Sequence, residues 1–328
     1  MIQITRTRAS ATLSSTLVLT LVLGCTPSDP GSEQVEGASA DDEAASTSPE
    51  APSLEELATA TYTGVGEETV TLADGEWEGE PFVEGGASRP VVGLVEDFYL
   101  AADLNGNGSQ EAVALLWTSS GGSGTYDYLA AMGRKGDQVV NLATAELGDR
   151  VKIRSYEIDG DQIVLDVVQA GPDDAACCPG QKMRRTWALT GEGLTEVSSE
   201  DLGRVSIADL EGVEWVLRRF SWDESAPAEP EITLVFQDGS IGGSSGCNRF
   251  NSDVSEGDMP GDLSVGLIAG TRMACPDDIA ALETRFLQAL ESVNQYSFMI
   301  GSLVLNWSRE DVWNTMIFEP RPLVDDSE

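Results

Sequence analysis

The chain contains no histidine, and only Lys135, Lys152 and Lys182 are lysines. Without imidazole it lacks the commonest general base near neutral pH and the commonest metal ligand, which excludes Ser-His-Asp, Cys-His and His-based zinc chemistry. Basic charge of any kind is scarce: 19 basic residues stand against 56 acidic ones, a formal net charge of −37. A field of that sign repels phosphate backbones and anionic lipid, so nucleic acid is excluded as a partner. Acid-rich, lysine-poor surfaces look like those of salt-adapted organisms, where the charge keeps the whole surface solvated. A long apolar run is also missing. The stretch from Leu13 to Leu23 falls well short of the roughly 20 residues that span a bilayer.

That short run, preceded by Arg6 and Arg8, has the form of a signal peptide over residues 1–24. It ends in Val22-Leu23-Gly24-Cys25, which resembles the lipobox of bacterial lipoproteins. The resemblance implies cleavage before Cys25 and a lipid on that cysteine. The membrane is then a partner through the anchor, and the location is the cell envelope. Thr26 stands where an aspartate would retain the protein at the inner membrane, which favours the outer membrane or the cell surface. Residues 25–55 are rich in Ser, Ala, Glu, Asp, Pro and Gly with almost no large apolar side chain, the composition of a disordered acidic tether. About 27 such residues reach roughly 30 Å.

At 328 residues the rest of the chain suffices for two domains. Residues 56–198 are expected to be β-rich, because β-branched runs such as Val70-Thr71-Leu72 and Ile163–Val168 are bounded by Ala73-Asp74-Gly75 and Asp159-Gly160-Asp161. Their sharpest feature is Asp103-Leu104-Asn105-Gly106-Asn107-Gly108-Ser109-Gln110-Glu111. It has oxygen side chains at alternate positions and glycine at the sixth. This is the spacing of a calcium loop, with Asp103, Asn105, Asn107 and Glu111 as candidate ligands. It departs from the EF-hand at the twelfth position, where Ala114 replaces a bidentate glutamate, and it runs into the strand-like Ala112–Trp117. A metal-free Asx turn explains the same residues. Gly121–Tyr126 is glycine-rich without the Lys-Ser/Thr ending of a phosphate loop and reads as a turn. Cys177-Cys178-Pro179 invites a vicinal disulfide, a rigid ring rather than a redox centre, since no base or Cys-x-x-Cys spacing accompanies it.

Residues 206–320 carry a more specific pattern. Glu214-Trp215-Val216-Leu217, Ile232–Phe236, Gly242-Gly243, Gly246-Cys247-Asn248-Arg249-Phe250-Asn251 and Thr271-Arg272-Met273-Ala274-Cys275-Pro276 follow in order. This segment resembles the META domain of heat-shock-protein J-like lipoproteins. Read from the residues alone, Asp277 or Asp278 can cap a helix that sets Leu282, Phe286, Ala289, Leu290 and Val293 on one face. Ser302–Trp307 and Thr315–Glu319 read as a closing hairpin. The expected class is α+β, mostly antiparallel β, in two small β-rich domains, the second with one packed amphipathic helix. Bonding Cys247 to Cys275, 28 positions apart, would stabilise by about 3 to 4 kcal/mol in the chain-entropy model. The five cysteines then divide into one acylated, two vicinal and two bridged. Asn248 and Arg249 invite a ligand-binding reading, against one in which Asn248 holds a turn and Arg249 pairs with an acidic neighbour. Trp215, Trp222, Trp307 and Trp313 read as core or rim residues.

The functional expectation is a non-catalytic, lipid-anchored envelope protein with an envelope protein as partner. The family resemblance implies a stress-adaptation role through its association with heat shock and antibiotic resistance. Two alternatives stand beside it. One is a calcium-dependent or inhibitor-like binding protein built on the Asp103 loop. The other is a hydrolase working through a carboxylate pair, for which no two of the acidic positions stand out.

Overall fold

Strand propensity and alternation dominate the chain, and the computed structural model resolves them into antiparallel sheets. It describes residues 50–323 apart from Glu67, Ser123 and Ala176. Cys25, the expected signal peptide and most of the expected tether lie outside the described residues.

The first described turn is helical. Helix α1 (Leu54–Leu57) begins at Ser53, whose hydroxyl accepts from Glu56 N while the Glu56 carboxylate accepts from Ser53 N. This reciprocal box satisfies two amide groups that a helix start otherwise leaves bare. Glu56 also takes a two-pronged bond from the Arg134 guanidinium at 2.6 and 2.8 Å. That guanidinium holds its carboxyl down at about 2. Strands β1 (Thr61–Val65) and β2 (Glu68–Thr71) form a hairpin beside it.

A second sheet comprises β3 (Glu76–Glu78), β4 (Val91–Leu94), β5 (Leu100–Ala102), β6 (Glu111–Ser119), β7 (Tyr126–Lys135) and β8 (Gln138–Asp149). Its order is β3-β4-β6-β7-β8, with β5 pairing β6. Strands β6 and β7 are buried on both faces. Ala112, Ala114 and Leu116 enter one core with Leu57, Tyr62 and Val70, while Val113 and Leu115 enter another with Phe98 and Trp187. Because side chains alternate across a strand, an uninterrupted apolar run such as Ala112–Trp117 marks a strand between two cores. The second core is closed by a meander of β9 (Lys152–Asp159), β10 (Gln162–Gln169), β11 (Gln181–Thr190) and β12 (Gly193–Arg204). In β10, Ile163, Leu165 and Val167 supply that core.

Beyond Arg204 a 3₁₀ turn, Ile207–Leu210, leads into the last sheet. Its strands are β13 (Val213–Ser221), β14 (Glu224–Ser225), β15 (Thr233–Gln237), β16 (Ser240–Ser244), β17 (Arg249–Glu256), β18 (Leu263–Val265) and β19 (Ala269–Gly270). After helix α2 (Asp277–Leu290) come β20 (Val293–Met299), β21 (Ser302–Arg309) and β22 (Val312–Pro322). The order β18-β17-β16-β15-β13-β22-β21-β20 curls until its ends meet. Asp262 bridges Gln295, and Tyr296 N donates to Gly261 O at 2.7 Å. Phe286 and Leu290 of α2 join Trp215, Phe236, Phe250, Phe298 and Phe318 in its core.

The α+β class, mostly antiparallel with a helix packed on the C-terminal sheet, is therefore observed. The helix differs from expectation in two details. Pro276 occupies the N-cap without a side-chain bond, and Asp277 and Asp278 sit in the first turn, where the helix dipole favours negative charge. Val293 is not on the helix but opens β20, because the chain leaves the helix after Leu290.

The last sheet is tied to the meander before it. Asp209 accepts from Arg154 at 3.1 Å and Lys182 at 2.7 Å, and Gly301 N donates to Ile153 O at 3.1 Å. The Arg154 guanidinium also lies over the Phe298 ring.

Candidate functional site

The Asp103–Glu111 loop brings its four named residues together. Gly106 and Gly108 adopt positive φ, which glycine reaches without the strain a β-carbon would add. The tight turn this permits folds backbone amides onto the side chains. Asp103 Oδ1 accepts from Asn107 N at 3.1 Å, and its Oδ2 accepts from Gly108 N at 2.8 Å. Asn105 Oδ1 accepts from Asn107 N and Asn107 Oδ1 from Ser109 N. Glu111, buried at the start of β6, accepts from Leu104 N at 2.9 Å and from the Asn105 amide at 2.8 Å. Burial pushes its carboxyl up from the usual range. Each of these oxygens is thus already met by an N–H of the loop, as an Asx turn requires, and Asn105 turns its amide nitrogen toward Glu111. A calcium ion needs 6–8 oxygens, and the loop's own amides satisfy one lone pair of each of these oxygens without an ion.

The second site of dense polar contact surrounds Asn248, which is 7% exposed. Its backbone N donates to Glu283 Oε1 at 3.2 Å, and its side-chain amide donates to Glu283 Oε2 at 2.9 Å. Asn248 Oδ1 accepts from Thr271 Oγ1 and from Met273 N, both at 2.8 Å. Its carbonyl accepts from Ser245 N and Ser245 Oγ, again at 2.8 Å. Ser245 also hydrogen-bonds Glu283. One asparagine therefore joins the turn before β17, the Thr271–Pro276 loop and helix α2. The Cys247–Cys275 disulfide, with Cα atoms 6.3 Å apart, fastens the first two of these again. The cysteines and Glu283 approach one another closely enough to resemble a metal cluster, but both sulfurs are spent on each other.

Asn248 therefore holds its turn. Arg249 does not pair with an acidic neighbour: among the described residues its exposed guanidinium makes no ion pair, because β17 points it away from the packed face. It borders an open depression of about 760 Å³ that also includes Glu214, Glu231 and Arg321. Arg321 is itself paired with both glutamates. Cys177 and Cys178, expected as a vicinal disulfide, are free thiols in a turn where Cys178 N donates to Ala175 O at 2.9 Å. Of the tryptophans, Trp215 is buried with its indole N–H donating to Leu210 O at 2.9 Å. Trp307 is half-buried, and Trp222 and Trp313 are exposed.

Glu283 is the residue that sequence reasoning missed. It lies on the helix, away from both sequence motifs, and no spacing rule links it to Asn248. A carboxylate among the apolar positions of an amphipathic helix was its only signal.

No described helix is long and apolar enough to cross a membrane. Residues 208–317 match the META domain family model. Two solved NMR structures are similar to part of the chain. One, of a protein from Burkholderia xenovorans, is 25% identical, covers 39% of this chain and 97% of its own, and has a TM-score of 0.28. The other is 21% identical, covers 37% of this chain and 99% of its own, and has a TM-score of 0.30. A search of curated proteins found no match.

Proposed function

We propose that this chain is a non-catalytic, lipid-anchored envelope protein whose META segment presents a loop face to a protein partner under envelope stress. The observation that carries this reading is the complete internal use of Asn248. The densest motif of the segment is spent on riveting a loop in place, so recognition falls to the side chains the loop exposes.

Those side chains have the makings of an interface. Leu267 is 97% exposed and Met273 61% exposed, while Arg249 and Arg272 are exposed cations in a strongly acidic chain. Exposed apolar and arginine side chains are the types enriched at the cores of protein interfaces. Binding from such a face needs a fixed backbone, which the disulfide and Asn248 supply at the cost of little conformational entropy on association. The lipid on Cys25 and the acidic tether set this face at a distance from the membrane. The META domain is not known as a catalytic family, which agrees with the reading.

The test is crosslinking in intact envelopes followed by affinity recovery, comparing the wild type with Cys25→Ala and with a Leu267→Asp/Met273→Glu variant. One abundant partner, lost in both variants, is expected. A partner that survives the loop substitutions, or none at all in repeated recoveries, would reject the loop face.

A further inference from the structure

Cys177 and Cys178 lie in a loop whose framework does not depend on their sulfurs. Asp174 Oδ2 accepts from Gly171 N and Gly180 N, each at 2.8 Å, and its Oδ1 accepts from Arg204 at 2.5 Å. These three bonds fix both ends of the loop, and the Arg204 guanidinium holds the Asp174 carboxyl at about 2. The loop is seated tightly against the last sheet: a β-carbon added at Gly180 would meet the Pro260 ring at 2.6 Å. Beside it opens a cavity of about 220 Å³, where Cys177, Cys178 and Pro179 face Lys152, Tyr296 and Asn306.

The two thiols differ. Cys177 is exposed. Cys178 is less exposed, and its backbone N donates to Ala175 O at 2.9 Å. The adjacent Cys177 thiol, followed by burial, pushes the Cys178 thiol up to about 11. The same chain carries the Cys247–Cys275 disulfide, so it matures where disulfides form. Free adjacent thiols in that setting are reactive groups.

We propose that Cys177 and Cys178 form a reversible redox pair that exchanges with an external disulfide, Cys177 attacking and Cys178 resolving. The Cys177 thiolate forms a bond to one sulfur of the external disulfide and breaks its S–S bond. The departing sulfur takes up the proton that Cys177 released. In this mixed disulfide the adjacent Cys178 is the thiol next to the new S–S bond. Cys178 ionises, attacks the Cys177 sulfur, closes the vicinal ring and expels the second thiol. Two protein thiols lose two electrons, and one external disulfide gains them as two thiols. A dithiol reductant runs the sequence backwards. The framework bonds of Asp174 use no sulfur, so the ring opens and closes within a loop that stays anchored.

The probe is oxidised glutathione, applied to the full chain carrying Cys25→Ser, with peptide mass spectrometry after alkylation. In the wild-type pair, the Cys177–Cys178 peptide should lose the mass of two hydrogens and resist alkylation. Dithiothreitol should restore it while Cys247–Cys275 stays bridged. Cys178→Ser should stop at one glutathionyl group on Cys177, and Cys177→Ser should react about tenfold more slowly. Two freely alkylatable thiols, mixed disulfides without ring closure, or equal rates in the two variants would each overturn the proposal. Ring closure is read in the unsubstituted pair, so the test does not depend on how the variants fold.

Discussion

The Asp103 turn and the Asn248 junction perform the same chemical task over different distances. In both, side-chain oxygens accept backbone N–H groups that a loop leaves bare. The Asp103 turn does so within nine residues and ends at its own strand, so its bonds support only local geometry. Asn248 reaches Thr271, Met273 and Glu283, up to 35 positions away. A local net shapes one turn, whereas a long-range one decides where a helix and a loop sit on a sheet. Loss of the second should therefore cost the whole C-terminal sheet.

The comparison is tested most severely at the disulfide. Replacing Cys247 and Cys275 together by serine should lower stability by about 3 to 4 kcal/mol, read as a shift of the urea midpoint. A shift no larger than that of a surface substitution would mean that Asn248 alone holds the loop. Asn248→Ala should follow, at about 2 kcal/mol, because it removes the side-chain bonds to Thr271, Met273 and Glu283 on two segments while the backbone bonds to Ser245 and Glu283 remain. Combined with the disulfide variant it should cost less than the sum, since both fasten the same loop. Strict additivity would separate the two devices.

The first sheets also contain a long-range carboxyl, and its pH dependence sharpens the contrast. Asp127 on β7 accepts from Val151 N at 2.9 Å, and burial pushes it up to about 6. In the unfolded chain its pKa is about 4, so the folded state keeps a proton that the unfolded state has lost. Its contribution is complete below about pH 4 and disappears as the pH rises through about 6, some 2 to 3 kcal/mol in all. Asp127→Asn should flatten that part of the stability profile, as urea midpoints at pH 4, 5, 6 and 7 would report. An unchanged profile would place the dependence elsewhere.

The smallest effect belongs to the turn itself. Asp103→Ala should cost about 1 to 2 kcal/mol. Excess calcium or a chelator should leave the melting temperature unmoved, because the amide bonds hold the turn without an ion. A rise on adding calcium would show that the loop holds the ion.

How far the sequence led follows the same division. Strands at Ile163–Val168, Ala112–Trp117 and Ser302–Trp307 were legible because β-branched and apolar residues run between turn formers. The Asp103 turn was legible because its donors and acceptors are neighbours in the chain. Helix α2 was legible from its apolar spacing, although Val293 was drawn into it, since a strand's first apolar residue can match a helical period by chance. Glu283 was not legible as the partner of Asn248, and of the two readings of Arg249 the one that paired it with an acidic neighbour did not hold, because β17 turns it outward. Nor did adjacent cysteines disclose that they would stand as thiols.

The sequence by itself determined the strand-rich character, the place of the helix, the META resemblance and the chemistry excluded by the missing histidines. These follow from composition and from contacts between residues close in the chain. Only the tertiary structure decided that β6 and β7 lie between two cores, that the last sheet curls until Asp262 meets Gln295, and that Asn248 is spent on internal bonds. Those outcomes depend on which distant segments come together, and the free energy that selects them arises from burial and hydrogen bonding shared among all of them.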